Sequence, residues 1–144
     1  MAVLTTDILI TGMKRNDVFE WLSESSRHLD LLKAGFPNGR AEGDILWLPF
    51  SGGYKTRELG YEFLRADDSH GGRRILIQTH GKRTSGSLNY SLRTMKPSSN
   101  TLITLHMDYN PGTLLGPMLT ASIEEDLLRC FNRVLEEIKQ KIQL

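Results

Sequence analysis

Two kinds of hydrophobic pattern follow one another in the first third of the chain. Residues 3–10 are rich in β-branched and other apolar side chains and predict a strand. Apolar residues then recur at helical spacing in residues 14–22 and again in residues 29–36, which predicts two short helices, the second ending near Gly35. The glycines, proline and asparagine of residues 36–44 predict a loop.

Beyond this loop the apolar positions alternate with polar ones, which is typical of strands with one buried face. The alternation recurs in five successive runs, which contain Leu48, Tyr61, Ile77, Tyr90 and Leu105 respectively. Turn-forming residues separate the runs, and connections this short favour antiparallel neighbours. The sequence therefore predicts a sheet of six to seven antiparallel strands, counting the first one.

From about residue 116 to Ile142 the apolar spacing is helical again, and at 1.5 Å per residue this predicts a helix roughly 39 Å long. The apolar face of the sheet must be covered, and this helix is the one predicted element long enough to cover it. We therefore predict one α+β domain over residues 1–144, with a curved sheet wrapped around the C-terminal helix. Two short helices follow the first strand.

A curved sheet cannot close onto a helix along its whole length, so this arrangement leaves an internal space unless side chains fill it. We expect an apolar space of this kind to bind a hydrophobic small molecule. A packed core is the alternative, because cores and pocket linings use the same residue types. The predicted lining comprises Leu46, Leu48, Tyr61, Phe63, Ile75, Ile77, Leu88, Tyr90, Leu92, Ile103, Leu105, Met107, Leu115, Met118 and Leu119, with Ile123 beside them.

Composition narrows the class of protein. The 18 basic and 17 acidic residues leave a formal net charge of +1, so nucleic acid is an improbable partner. The single cysteine, Cys130, has no cysteine partner within the chain, which favours a reducing cytoplasm. No signal-peptide pattern and no apolar run of membrane-spanning length is found, which predicts a soluble protein without a transmembrane segment.

The sequence offers no convincing catalytic, metal or cofactor site. His106 and Asp108 lie two apart on one predicted strand, but on its solvent face, and His80 lies on another strand. The acidic residues and histidine of residues 67–72 suit a turn. Cys130 falls on the apolar side of the C-terminal helix and is predicted to be a small core residue.

One segment is unusually basic. It contains six basic residues and no acidic one, namely Arg73, Arg74, Lys82, Arg83, Arg93 and Lys96. A solvated sheet face explains such residues, since lysine and arginine discourage edge-to-edge association. The functional alternative is an acidic partner, an anionic headgroup or a membrane surface that approaches this segment.

The order of these elements resembles the START-like or SRPBCC superfamily of helix-grip, Bet v 1-like proteins. Residues 8–22, ILITGMKRNDVFEWL, look like the opening strand and first helix of the family, and residues 113–142 look like its cavity-covering helix. The resemblance implies a cavity for a lipid, isoprenoid, polyketide or similar guest, held by a carrier or sensor. It equally admits a polyketide cyclase or dehydratase, with Tyr61 and Tyr90 as inward polar groups, and a protein-interaction module of the chaperone-activator type.

Overall fold

The alternating segments form a single antiparallel sheet in the computed structural model, which describes residues 2–52, 55–68, 72–96, 99–111 and 117–143. Seven strands occur in the spatial order β1-β7-β6-β5-β4-β3-β2. Their bounds are β1 Ala2–Ile10, β2 Arg40–Glu42, β3 Ile45–Gly52, β4 Lys55–Asp67, β5 Arg73–His80, β6 Gly86–Met95 and β7 Asn100–Tyr109. The prediction of six to seven antiparallel strands is confirmed.

The C-terminal helix lies in the concave side of this sheet. Helix α3 spans Pro117–Ile142 and packs against β1 and β3, which lie near opposite ends of the strand order. Such contacts require the sheet to curl around the helix as a half-barrel. The predicted α+β architecture is therefore confirmed, and the hydrophobic core lies between the concave sheet face and α3.

Two short helices follow β1, as predicted. Helix α1 spans Arg15–Leu22 and contacts β5 and β6, whereas α2 spans His28–Leu32 and contacts α3. A single turn of 3-10 helix, Ser25–Arg27, precedes α2. Gly35 follows α2 and touches α3 so closely that a Cβ atom there would overlap the Cys130 carbonyl oxygen.

The loop predicted at residues 36–44 contains a strand, so this part of the prediction is wrong. Strand β2 pairs with Ile45–Trp47 of β3 through a turn that includes Gly43 at φ +64°. All three β2 residues are exposed, and they carry no apolar alternation. The strand is held by its main-chain pairing and by the exposed ion pair of Arg40 with Glu58, which leaves no hydrophobic signal in the sequence.

Within the described ranges, no helix is both long enough and apolar enough to cross a membrane.

Candidate functional site

The concave face brings the predicted lining residues together and fills the space between them. Ten of these residues are at most 5% exposed, namely Leu48, Tyr61, Ile75, Ile77, Leu88, Tyr90, Leu92, Ile103, Leu105 and Met107. Ile123 of α3 is 2% exposed and faces them. Side chains this deeply buried leave no room for solvent against the described concave face.

The other predicted lining residues lie at the margins. Leu46, Phe63 and Leu119 are partly buried and pack against the core. Met118 is 88% exposed, because it shares the side of α3 that carries Glu125 and Arg129 rather than the buried side. Leu115 lies outside the described residues.

The concave side opens to solvent at a pocket of about 270 Å³ between β3, β4 and α2. Leu46 and Phe63 form its apolar wall, and the buried side chain of His28 forms its inner end. The pocket is lined by Ser25, Ser26, His28, Asp44, Leu46, Glu62 and Phe63. Five of these seven residues are polar or charged, so the pocket is more polar than a typical small-molecule site.

A buried chain of hydrogen bonds leads inward from this pocket. The Nε2 atom of His28 lies 2.8 Å from the Leu22 carbonyl oxygen, and its Nδ1 atom lies 2.7 Å from the Tyr61 hydroxyl. The Tyr61 hydroxyl lies 3.2 Å from the Tyr90 hydroxyl. The imidazole also makes edge contacts with the rings of Phe63 and Tyr90, at centroid distances of 5.1 and 6.1 Å.

The carbonyl of Leu22 fixes the direction of this chain. A carbonyl oxygen only accepts, so Nε2 of His28 carries the proton and, in neutral imidazole, Nδ1 accepts from the Tyr61 hydroxyl. The proton of Tyr61 is then committed to His28, and the Tyr90 hydroxyl donates to Tyr61. Protonation of His28 would reverse the order, because Nδ1 would then become a donor.

Burial keeps all three groups neutral. It lowers the pKa of His28 from its ordinary value of 6.5, although the hydrogen bond to Leu22 acts in the opposite direction. Burial likewise raises the pKa of Tyr61 well above 10 and raises the pKa of Tyr90 to about 12. The phenols therefore act as hydrogen-bond donors and not as bases near neutral pH.

We expect protein stability to fall as the pH drops below 6.5, the ordinary pKa of the His28 side chain. The folded-state pKa is lowered, so the unfolded chain binds this proton more readily; the stabilisation is complete above pH 6.5 and is lost below it. Urea unfolding of the wild type and of His28→Gln between about pH 7.5 and about pH 5 measures the effect. His28→Gln should flatten the pH dependence of the free energy of unfolding. An unaltered slope in His28→Gln would contradict the assignment.

Two further hydroxyls are buried without a partner among the described residues: Thr79 Oγ1 and the Tyr109 hydroxyl. Thr79 is 2% exposed and lies opposite Tyr61 of β4 on one side and Gly86 of β6 on the other. Gly86 in turn lies opposite Tyr109 of β7. Burial raises the pKa of Tyr109, with a smaller contribution from Glu124. A row of polar groups thus crosses the concave face, interrupted by a residue without a side chain.

Sequence reasoning included Tyr61 and Tyr90 but missed His28, Thr79 and Tyr109. His28 follows two serines at the start of a short helix, and nothing local to it indicates that it reaches the interior. Thr79 and Tyr109 do continue the alternation of buried positions on their strands, which was the available signal.

The alternative histidine cluster does not converge. His106 and Asp108 lie together on the outer face, 3.4 Å apart and 39% and 37% exposed. His80 instead pairs with Glu62 at 2.9 Å. Over the described ranges, no group of three potential metal ligands occurs, and His70 lies outside those ranges. Cys130 is partly buried, and burial raises the pKa of its thiol.

The basic segment is divided between the two ends of the sheet. Lys82 and Arg83 lie in the turn between β5 and β6, whereas Lys96 follows β6 at the other end. Arg73 lies at that other end too, paired with Asp68 at 2.8 Å and placed over the ring of Phe19. Arg74 and Arg93 are exposed on the outer face, so the six cations do not form one patch.

Solved structures share this architecture over nearly the whole chain. Norcoclaurine synthase from Thalictrum flavum, solved with dopamine and hydroxybenzaldehyde, is 16% identical with a TM-score of 0.65, covering 99% of this chain and 86% of that one. The Zhui aromatase/cyclase from Streptomyces sp. R1128 is 14% identical with a TM-score of 0.56, and the match covers 98% of this chain and 95% of that one. An uncharacterised protein from Bacillus thuringiensis is 14% identical with a TM-score of 0.63, covering 99% and 100%.

This is the helix-grip fold. The predicted helix-grip architecture is thereby confirmed, with α3 as the gripped helix. No protein-family model matches the chain, and no curated protein matches it. A shared helix-grip architecture does not by itself determine a ligand or a reaction.

Proposed function

We propose that this helix-grip protein binds a hydrophobic small molecule between the concave sheet face and α3, without acting on it chemically. The observation that carries the proposal is the pair of buried hydroxyls of Thr79 and Tyr109, which have no partner within the described ranges. Leaving a buried polar group unpaired costs about 1–3 kcal/mol, so a fold tolerates two of them where a guest supplies the partner. The norcoclaurine synthase and the aromatase/cyclase of the same fold lend support to a small-molecule role.

The chemistry of the row defines the class of guest. A hydroxyl can donate to a carbonyl or hydroxyl oxygen, and the surrounding Ile77, Leu88 and Met107 accept only apolar surface. We therefore expect an apolar molecule that carries a ketone or alcohol group. A carboxylate is disfavoured, because no cationic side chain is buried among the described residues of the core.

Access would begin at the Leu46 and Phe63 pocket, where the concave side meets solvent. The guest must displace packed side chains to go deeper. The first turn of α3 is the least buried part of the described helix: Met118 is exposed, Leu119 is partly buried and Ile123 is the first fully buried residue.

A displacement assay tests the proposal. The neutral fluorophore N-phenyl-1-naphthylamine should bind the wild type, and 2-decanone should displace it. Thr79→Val and Tyr109→Phe should each lower the affinity for 2-decanone by about fivefold. This is the equivalent of losing one hydrogen bond of about 1 kcal/mol. Without ligand, both variants should be as stable as the wild type or more stable, since each removes an unpaired polar group.

Thr101→Val is the matched control. Thr101 is equally buried, but its hydroxyl donates to the Met13 carbonyl oxygen at 2.8 Å. This variant should lose about 1 kcal/mol of stability and leave 2-decanone binding unchanged. If Thr79→Val is destabilised as much as Thr101→Val and binds 2-decanone normally, the proposal fails.

The polyketide cyclase alternative remains a prediction from the resemblance, and the same is true of the chaperone-activator alternative. Tyr61 and Tyr90 would be the polar groups of a cyclase, acting as neutral donors because their pKa values are raised. We expect the binding protein to be cytoplasmic, since its single Cys130 is suited to a reducing compartment.

A further inference from the structure

The outer face of the sheet carries a second concave site, which we call the Trp47 groove. Its volume is about 420 Å³, within the range of small-molecule sites. It lies where the edge of β3 and β4 meets the turn between β5 and β6, and it is separate from the concave interior. Its lining comprises Trp47, Lys55, Thr56, Arg57, Glu58, Gly81, Lys82, Arg83 and Thr84.

The sequence makes room for the indole of Trp47. A side chain at Gly60 on β4 would begin 2.9 Å from Cζ3 and 3.1 Å from Cη2 of the Trp47 ring. It would also meet the Cβ atom of His80 at 2.9 Å. Gly60 is therefore what allows the six-membered ring of the indole to lie against the strand, where it forms an aromatic wall of the groove.

The charge of the groove is predominantly positive. It contains Lys55, Arg57, Lys82 and Arg83, and none of these has a carboxylate partner among the described residues. The charge of Glu58 is already neutralised by the Arg40 guanidinium, 2.7 Å away. The groove therefore attracts an anion.

The turn that carries Lys82 and Arg83 is anchored to the sheet. The Thr84 side chain is 2% exposed, and its hydroxyl donates to the His80 carbonyl oxygen at 3.1 Å, with the Glu58 carbonyl oxygen 3.3 Å away. Gly81 adopts φ +136°, and a side chain there would overlap the Thr84 hydroxyl. The cations are thus presented from a fixed turn, which reduces the ordering cost of binding.

We propose that the Trp47 groove binds a small anion that carries an aromatic ring. The indole supplies a surface for ring stacking, and the four cations supply the recognition of a phosphate or carboxylate group. The volume accommodates a two-ring compound with one anionic group. This proposal is independent of the interior site, since no residue is shared between the two.

Titrations followed by amide and indole NMR signals test the proposal. The probes are 1-naphthyl phosphate, 1-naphthoate, the uncharged 1-naphthol and inorganic phosphate. Both naphthyl anions should shift the signals of Trp47 and Thr84, while 1-naphthol and inorganic phosphate should bind much more weakly. Trp21→Phe assigns the two indole signals, because the chain has two tryptophans.

Charge variants locate the site. Lys82→Gln combined with Arg83→Gln should lower the affinity for 1-naphthyl phosphate roughly thirtyfold. This is the effect of losing two charges that each contribute modestly to binding in water. The matched control, Arg93→Gln combined with Lys96→Gln, removes the same two charge types at the other end of β6 and should change nothing. Trp47→Leu should lower the affinity for 1-naphthyl phosphate but not that for inorganic phosphate. Both affinities are measured from the shift of the Thr84 amide signal.

Three results would overturn the proposal. Equal binding of 1-naphthol would show that charge is not recognised, and equal losses in the two double variants would show a non-specific effect. If an octa-glutamate peptide binds this groove more tightly than 1-naphthyl phosphate, the ligand is an acidic protein partner and not a small aromatic anion. The basic segment predicts this alternative as well.

Discussion

Replacing Gly35 with alanine is expected to lower the free energy of unfolding by about 3 kcal/mol. The added Cβ atom would overlap the Cys130 carbonyl oxygen and would lie 3.0 Å from Cγ2 of Val134. Since the overlap involves the backbone of α3, no side-chain rotation relieves it, and the end of α2 must move away from α3. Urea unfolding monitored by circular dichroism measures the loss.

Gly43→Ala provides the control for backbone conformation. Gly43 adopts φ +64° in an exposed turn, and a Cβ atom there would meet nothing within 4 Å. The loss of stability in Gly43→Ala should be limited to the conformational cost of a positive φ, about 1 kcal/mol. Equal losses in the two variants would show that α2 and α3 are not in close contact at Gly35.

Tyr61→Phe is expected to cost about 2–3 kcal/mol of stability. The change removes the donor to Nδ1 of His28 and the acceptor for the Tyr90 hydroxyl, so two buried groups lose their partners at once. The ring and its packing are retained, which isolates the effect of the hydroxyl. Chemical denaturation near neutral pH, where His28 is neutral, gives the difference directly.

Tyr90→Phe should cost less than about 1 kcal/mol, because Tyr61 keeps its bond to His28 and loses only a donor to its second lone pair. The size of the Tyr90→Phe loss tests the direction of the hydrogen-bond chain, because in the reverse order Tyr61 would be left with a buried, unpaired donor. A loss of about 2 kcal/mol or more in Tyr90→Phe would mean that Tyr61 donates to Tyr90 and that His28 carries a proton on both nitrogens.

Local pattern predicted most of the fold because the dominant elements each bury one face. The alternation through Leu88, Tyr90 and Leu92 is an example, since every second residue faces α3 and the intervening ones face solvent. Strand β2 was missed because its three residues bury nothing, and its pairing with Ile45–Trp47 carries no hydrophobic pattern on the β2 side.

The candidate sites were less predictable, since they depend on contacts between distant segments. His28 meets Tyr61 across 33 residues of sequence, and no spacing rule anticipates such a contact. The indole of Trp47 lies against Gly60, its opposite residue on β4, and this contact depends on the register of the two strands. The exposure of Met118 could have been predicted from the sequence, because Glu125 and Arg129 lie on the same side of the helix and indicate that this side is polar.

The central claim is that the concave face of the sheet accommodates an apolar guest beside Thr79 and Tyr109. The most direct measurement is the set of intermolecular NOEs between 2-decanone and the methyl groups of the protein. The account predicts NOEs to Ile77, Leu88 and Met107, whose side chains are at most 1% exposed without ligand. NOEs confined to surface methyl groups, with unchanged signals from these three residues, would contradict it.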